Sequence, residues 1–324
     1  MDVQPSVEVT NIFDPASVSS NFEFFDQDLL SLPSDVSLKA QQVIVRLHGV
    51  NLIYYSTNVR VRTRPSLHKS HLGFLVFGPN AHGTINGLPI REDTLLAAPA
   101  AQSISMVAEP GNESAGFLVP QDELVAHLSA QGQEEVLATL QRVEMRQLET
   151  GRATKLFEWA KQLINSAIDQ PEMFDATIGL RIAARHDLLE ILTSTLLASS
   201  SVELERRDRT RLMQSHIVRA AEEYALAHCD ESLYVKDLCL AAGVSERSLE
   251  YAFRAEMGLS PIAYLYRLRL HKVREALSQT NNPSMSVSSE ALRWGFWQFG
   301  DFAKNYKECF HELPSDTLRR TQGH

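Results

Sequence analysis

No stretch of the 324-residue chain approaches the roughly 18 consecutive apolar residues of a membrane span, so no transmembrane segment is expected. Cysteine is scarce. The three cysteines, Cys229, Cys239 and Cys309, form no C-x-x-C pair. This leaves neither a disulfide framework nor a zinc site, suits a reducing compartment, and marks all three as small core residues. The first residues, Met1 to Asn11, carry acids and no basic residue ahead of an apolar core. No secretory signal is expected, and a cytoplasmic location follows. The histidines His68, His71 and His82 lie near one another but lack the His-x-His and following Glu of a cupin metal site. Neither a metal ligand set nor catalytic residues are expected, and the chain is read as a non-enzyme that requires no cofactor. A metalloenzyme fused to a further domain is the weaker alternative.

Positive charge is also short. The chain holds 31 Lys and Arg against 40 Asp and Glu, a net charge of −9. The deficit is unevenly placed: Arg207 to His324 carries 16 basic and 15 acidic residues, leaving 15 and 25 for the remainder. Near-neutrality in the last third neither excludes nor supports a polyanionic partner, because a footprint depends on local patches.

Short apolar runs broken by turn residues occupy Gln41 to Pro120: Val43–Leu47, Leu52–Tyr55, Val59–Thr63, Gly73–Phe77, Leu95–Ala98, Ile104–Val107 and Phe117–Val119. Asn86-Gly87 between Ile85 and Leu88 is a strong two-residue hairpin signal, and the strand spacing predicts a sandwich or barrel. Helical spacing then takes over at Asp122–Leu128, Glu134–Leu148, Thr154–Ile168 and Ile178–Leu197, with Pro171 separating the last two. The organisation expected is α+β and multidomain: a jelly-roll-like β-rich domain over 1–121, a helical connector and dimer-forming segment over 122–206, and an all-helical domain over 207–324.

Within the last third, Val235 to Arg254 pairs a first helix with a second across Gly243-Val244-Ser245. Gly243 suits the positive φ of a tight turn, and Ser245 is a strong N-cap. Leu249 and Phe253, four apart, face inward, which leaves Arg247, Ser248, Glu250, Tyr251 and Arg254 outward. That is the build of a recognition helix with one stripe packed and the other free to enter a major groove. The pattern recurs at Val287–Arg293, Trp294-Gly295-Phe296 and Gln298–Cys309. Leu249 to Phe302, Phe253 to Tyr306 and Pro261 to Pro314 share one offset. Pro261 to Leu277 reads as a rigid connecting helix with Leu270, Val273 and Leu277 on one face. Trp294, Phe296, Trp297 and Phe299 are expected mainly in the core of this small domain.

Gly243, Ser245, Leu249, Phe253, Gly258, Pro261, Arg267, Leu268, Arg269, Leu270, Gly295, Phe296, Phe302 and Pro314 together resemble the DNA-binding domain of the AraC/XylS family. The resemblance implies promoter DNA as a partner, two recognition helices in successive major grooves, activation near RNA polymerase, and an effector-binding β-domain in a homodimer. The second unit would present Gly300, Asp301, Lys304 and Lys307. An acid accepts from cytosine but is repelled by phosphate, so the second helix is the weaker base reader, with Lys304 and Lys307 as phosphate contacts.

Asn58 to Arg64 alternates with period two and places Arg60, Arg62 and Arg64 on one strand face. Such a face must meet water, acids or an anion. A solvated edge strand is one reading. The other is an anion site. Arg60 and Arg64 form R-x-x-x-R and Ser70 to Gly73 forms S-x-x-G, which resemble the signatures of PilZ domains, with His68 where those have Asp or Asn. That resemblance implies cyclic di-GMP as effector on Arg60, Arg62, Arg64, His68, Ser70 and Gly73, as in a cyclic di-GMP-responsive AraC-type regulator.

Overall fold

The computed structural model describes residues 4–15, 25–68, 70–100, 102, 104–229, 231, 233–279 and 285–322. Its first part is a sandwich of two antiparallel sheets. The larger sheet has the order β1 (Val7–Ile12), β3 (Ala40–Leu47), β4 (Val50–Thr57), β11 (Asn112–Pro120), β6 (His71–Phe77), β9 (Thr94–Ala98), β12 (Glu144–Gln147) and β13 (Ser200–Ser201). The smaller has the order β2 (Phe25–Ser31), β5 (Val61–Leu67), β10 (Met106–Ala108), β7 (Gly83–Ile85) and β8 (Leu88–Pro89). Asn86 and Gly87 both adopt positive φ, at 49° and 80°, as the hairpin between β7 and β8 requires.

Period-two alternation explains the layering. On the larger sheet Val43, Leu52, Phe74, Ala97 and Phe117 share one core with helices, while Tyr55, Phe77, Leu96 and Leu118 share a second core between the sheets. The helices are α1 (Gln121–Ala130), α2 (Glu135–Ala138), α3 (Arg152–Asp169), α4 (Pro171–Ala176) and α5 (Ile178–Leu197). Leu156, Phe157, Ala160 and Ile164 of α3 and Leu188, Leu189 and Leu192 of α5 pack in the first core. The segment 122–206 therefore shares its core with the β-domain. It also supplies sheet: the helix expected over Glu134–Leu148 is α2 followed by β12, whose Met145 pairs with Leu96. The open edge of β9 captures the chain there and overrides its helical spacing.

The remaining helices are α6 (Arg206–Ala227), α7 (Val235–Ala242), α8 (Glu246–Met257), α9 (Pro261–Gln279), α10 (Val287–Arg293), α11 (Phe299–Phe310) and α12 (Pro314–Gln322). α6 to α8 and the start of α9 close around Val218, Leu238, Leu249, Phe253 and Leu268. The rest of α9 with α10 to α12 closes around Leu270, Val273, Phe302 and Tyr306. Leu32 and Val107 of the sandwich lie in the first of these cores, so the outer face of the smaller sheet docks directly on it.

Candidate nucleic-acid interface

The first unit is built as its local sequence dictates. Gly243 caps α7 with φ 64°, and Ser245 caps α8 by accepting from the Ser248 amide at 3.3 Å. Leu249, Ala252, Phe253 and Met257 are fully buried, while Arg247, Ser248, Tyr251 and Arg254 are exposed on the opposite stripe, Tyr251 by 67%. Arg254 and Glu250 form a 2.6 Å ion pair along this stripe. The second unit repeats the plan. Gly295 turns with φ 80°, Phe302, Tyr306 and Cys309 are buried on α11, and Gly300, Asp301, Lys304 and Lys307 are exposed. Lys304 is only loosely engaged by Glu308, at 3.9 Å.

Two aromatic residues depart from expectation. Phe296 is buried, but Trp297 is 77% exposed and Phe299 44% exposed, beside the N-terminal turn of α11. With Gly300 contributing no side chain, these two rings stand exposed at the N-terminal end of α11, where helical spacing alone hid them. Cys309 is buried as expected, whereas Cys229 and Cys239 are only half-buried.

The arginine strand is neither solvated nor open. Arg62 is 2% exposed, and its guanidinium joins Glu256 of α8 at 2.8 Å and Glu222 of α6 at 2.5 Å. Glu256 Oε1 also accepts from Ser105 at 3.0 Å and Ser215 at 3.2 Å, while its buried Oε2 makes no hydrogen bond among the described residues. Burial alone would lower the Arg62 pKa, but the two carboxylates outweigh it and hold the group above its ordinary value. Arg60 pairs with Glu109 at 2.9 Å and donates to the carbonyls of Met257 at 2.9 Å and Glu256 at 3.1 Å. These carbonyls form the negative end of α8. Gly258, with φ 73°, is needed there twice over, because a Cβ would lie 2.9 Å from Arg60 Nη1.

Two of the six residues expected to hold a cyclic dinucleotide are already engaged by groups of the protein itself. Arg60 and Arg62 meet the helical domain, Arg64 is half-buried further along β5, Ser70 contacts His71 at 2.9 Å beyond the strand end, and His68 lies in the same turn. Gly73 faces the interior, where a Cβ would strike Leu67. Of the partners expected for the arginine face, the structure supplies acids to Arg60 and Arg62.

Between the sheets lies a cavity of ≈ 120 Å³, lined by Tyr55, Thr63, Leu67, Leu96, Met106 and Leu118 among others. Its walls are almost wholly apolar. Thr63 Oγ1 is buried and without a hydrogen bond among the described residues, and burial raises the Tyr55 phenol above its ordinary pKa, keeping it protonated.

Residues 238–320 match the helix-turn-helix domain family. The chain is 33% identical over 161 residues to a probable thc operon regulatory protein of Rhodococcus erythropolis, covering 48% of this chain and 46% of that one, so it spans about half of that relative's length. It is 30% identical over 143 residues to the XylDLEGF operon transcriptional activator 2 of Pseudomonas putida, covering 44% of this chain and 88% of that one. Among solved structures it is similar to the AraC-like transcriptional activator CuxR, at 13% identity and a TM-score of 0.39 over 82% of this chain and 94% of that one. No helix of the described residues is long and apolar enough to cross a membrane. With two helix-turn-helix units joined by α9, and with the similar regulators of Rhodococcus erythropolis and Pseudomonas putida, the chain belongs to the AraC/XylS family of transcriptional regulators.

Proposed function

We propose that the protein binds promoter DNA sequence-specifically through α8 and α11 and activates transcription beside RNA polymerase. The observation that carries this reading is the pair of outward stripes, Arg247, Ser248, Tyr251 and Arg254 on one helix and Lys304 and Lys307 on the other, each backed by a buried stripe. The activators of Pseudomonas putida to which the chain is similar support the sign of regulation. Selection of bound sequences from a random DNA pool with the full chain tests it. A bipartite motif is expected, and recovery of no motif overturns the reading.

The effector of this reading is a small, largely apolar molecule of about one ring, seated between the sheets. An apolar cavity of about 150 Å³ is enough for benzene, and the space here is of that order. Its one polar group would meet the Thr63 hydroxyl. Cyclic di-GMP on Arg60, Arg62 and Arg64 makes the opposite demand, since it must draw Arg62 away from two buried carboxylates. Thermal shift with a panel of monocyclic aromatic compounds, alongside calorimetry with cyclic di-GMP at tens of micromolar, separates the two. A homodimer through α5, where Ile178 and Ile182 are exposed, completes the reading and is tested by sedimentation.

A further inference from the structure

Strand β5 has two working faces. Thr63, Pro65 and Leu67 point into the cavity between the sheets. Arg62, on the alternate face, reaches Glu222 and Glu256, and Arg60 just before the strand reaches the last carbonyls of α8. We propose that Arg62 is a positioning residue for DNA binding: through β5 it carries the state of the cavity to the first recognition helix. The inference rests on the cavity being the effector site.

Three observations carry it. First, the contact faces the side of α8 opposite Arg247, Tyr251 and Arg254, all of which stay exposed. The sandwich therefore holds the recognition helix from behind without covering it, and can alter its placement while DNA is bound. Second, the cluster is a poor device for stability alone. One guanidinium serves two carboxylates, all nearly buried, and Glu256 Oε2 makes no hydrogen bond among the described residues. Buried ion clusters of this kind seldom stabilise more than apolar residues of the same size, but they tolerate only one geometry. In a low-dielectric setting a small displacement of the guanidinium changes its interaction with both acids steeply. Third, the sandwich also grips the second unit: the Ser31 carbonyl accepts from Arg267 of α9 at 2.7 Å, and Asp14 pairs with Arg274 at 2.6 Å. Ser31 is the last residue of β2, which pairs with β5 along its length. A shift of β5 thus reaches both units, and with them the spacing of the two recognition helices.

A double-mutant cycle on the full chain tests this without any ligand. Gly116→Leu fills the cavity from β11, where a Cβ has only ordinary contact with Leu75 at 3.4 Å, and Ala98→Leu fills it from β9 should the first variant fail to fold. Each is measured for affinity to the selected DNA site with Arg62 in place, and again in Arg62→Met/Glu222→Gln/Glu256→Gln, which leaves no buried charge unpaired. The expected result is a change of about fivefold or more when Arg62 is present and less than about twofold in the neutral background. Equal changes in both backgrounds, or no change from either filling variant when Arg62 is present, overturns the proposal. Failure of the aromatic panel to bind would instead count against the effector reading and leave the cycle's outcome intact.

Discussion

Arg62 and Glu256 belong to different domains, 194 residues apart in sequence, yet they meet at 2.8 Å with both side chains almost wholly buried. Removing Arg62 alone leaves the carboxylates of Glu222 and Glu256 buried without their cation. Arg62→Ala is expected to destabilise the chain by about 3–5 kcal/mol, whereas the neutral triple variant Arg62→Met/Glu222→Gln/Glu256→Gln should lose much less. Urea midpoints of the three proteins decide this. Equal losses would mean that packing, not charge, holds the contact.

Base reading and phosphate binding should separate on the two exposed stripes. Arg247→Ala is expected to relax sequence preference at one position by about 1–3 kcal/mol, and Lys307→Ala to weaken all sequences alike while lowering the salt slope by about one. Binding titrations at several salt concentrations, on selected and unrelated DNA, read both effects.

The exposed rings of Trp297 and Phe299 suit apolar contact with thymine methyl groups at the second half of the site. Phe299→Ala should cost about 1 kcal/mol on the selected sequence. Replacing thymine by deoxyuracil there should cost the wild type a similar amount and the variant almost nothing. A loss unaffected by the missing methyl would remove these rings from base reading.

His271 lies on α9 with Nε2 buried and without a hydrogen bond among the described residues, its ring 5.0 Å from that of Phe310. Burial first, then the cations Arg267, Arg274 and Lys272, push its pKa down to about 3. The unfolded chain takes up a proton near pH 6.5 and the folded chain does not, so this group's contribution to stability is fully present above that pH. It is lost as the pH falls through the window between about 6.5 and 3, by at most about 1.4 kcal/mol per unit. His271→Phe should flatten the difference between urea midpoints at pH 7 and pH 5.5. An unchanged difference would assign the pH dependence to other groups.

What the sequence made legible was local. Gly243, Ser245 and Gly295 determine turns and a cap within a few residues, and the paired buried stripes of α8 and α11 follow from spacing alone. The alternation of Arg60, Arg62 and Arg64 correctly separated the two faces of β5, and acids were among the partners such a face required. Which acids was not legible, because Glu222 and Glu256 reach it only through the docking of one domain on another. Strand β12 was hidden for a related reason: Met145 sits at helical spacing, and only the vacant edge of β9 makes it a strand. Strands β1 and β2 lie ahead of the run of strands read from Gln41 onward, and take their register from β3 and β5.

The central claim, that α8 and α11 read DNA together from one rigid connecting helix, is tested most directly by hydroxyl-radical footprinting of the full chain on its selected site. Two protected segments on one face of the duplex, about 10 base pairs apart, are predicted, with Arg247→Ala weakening one and Lys307→Ala the other. A single protected segment that responds to only one of the two substitutions would contradict it.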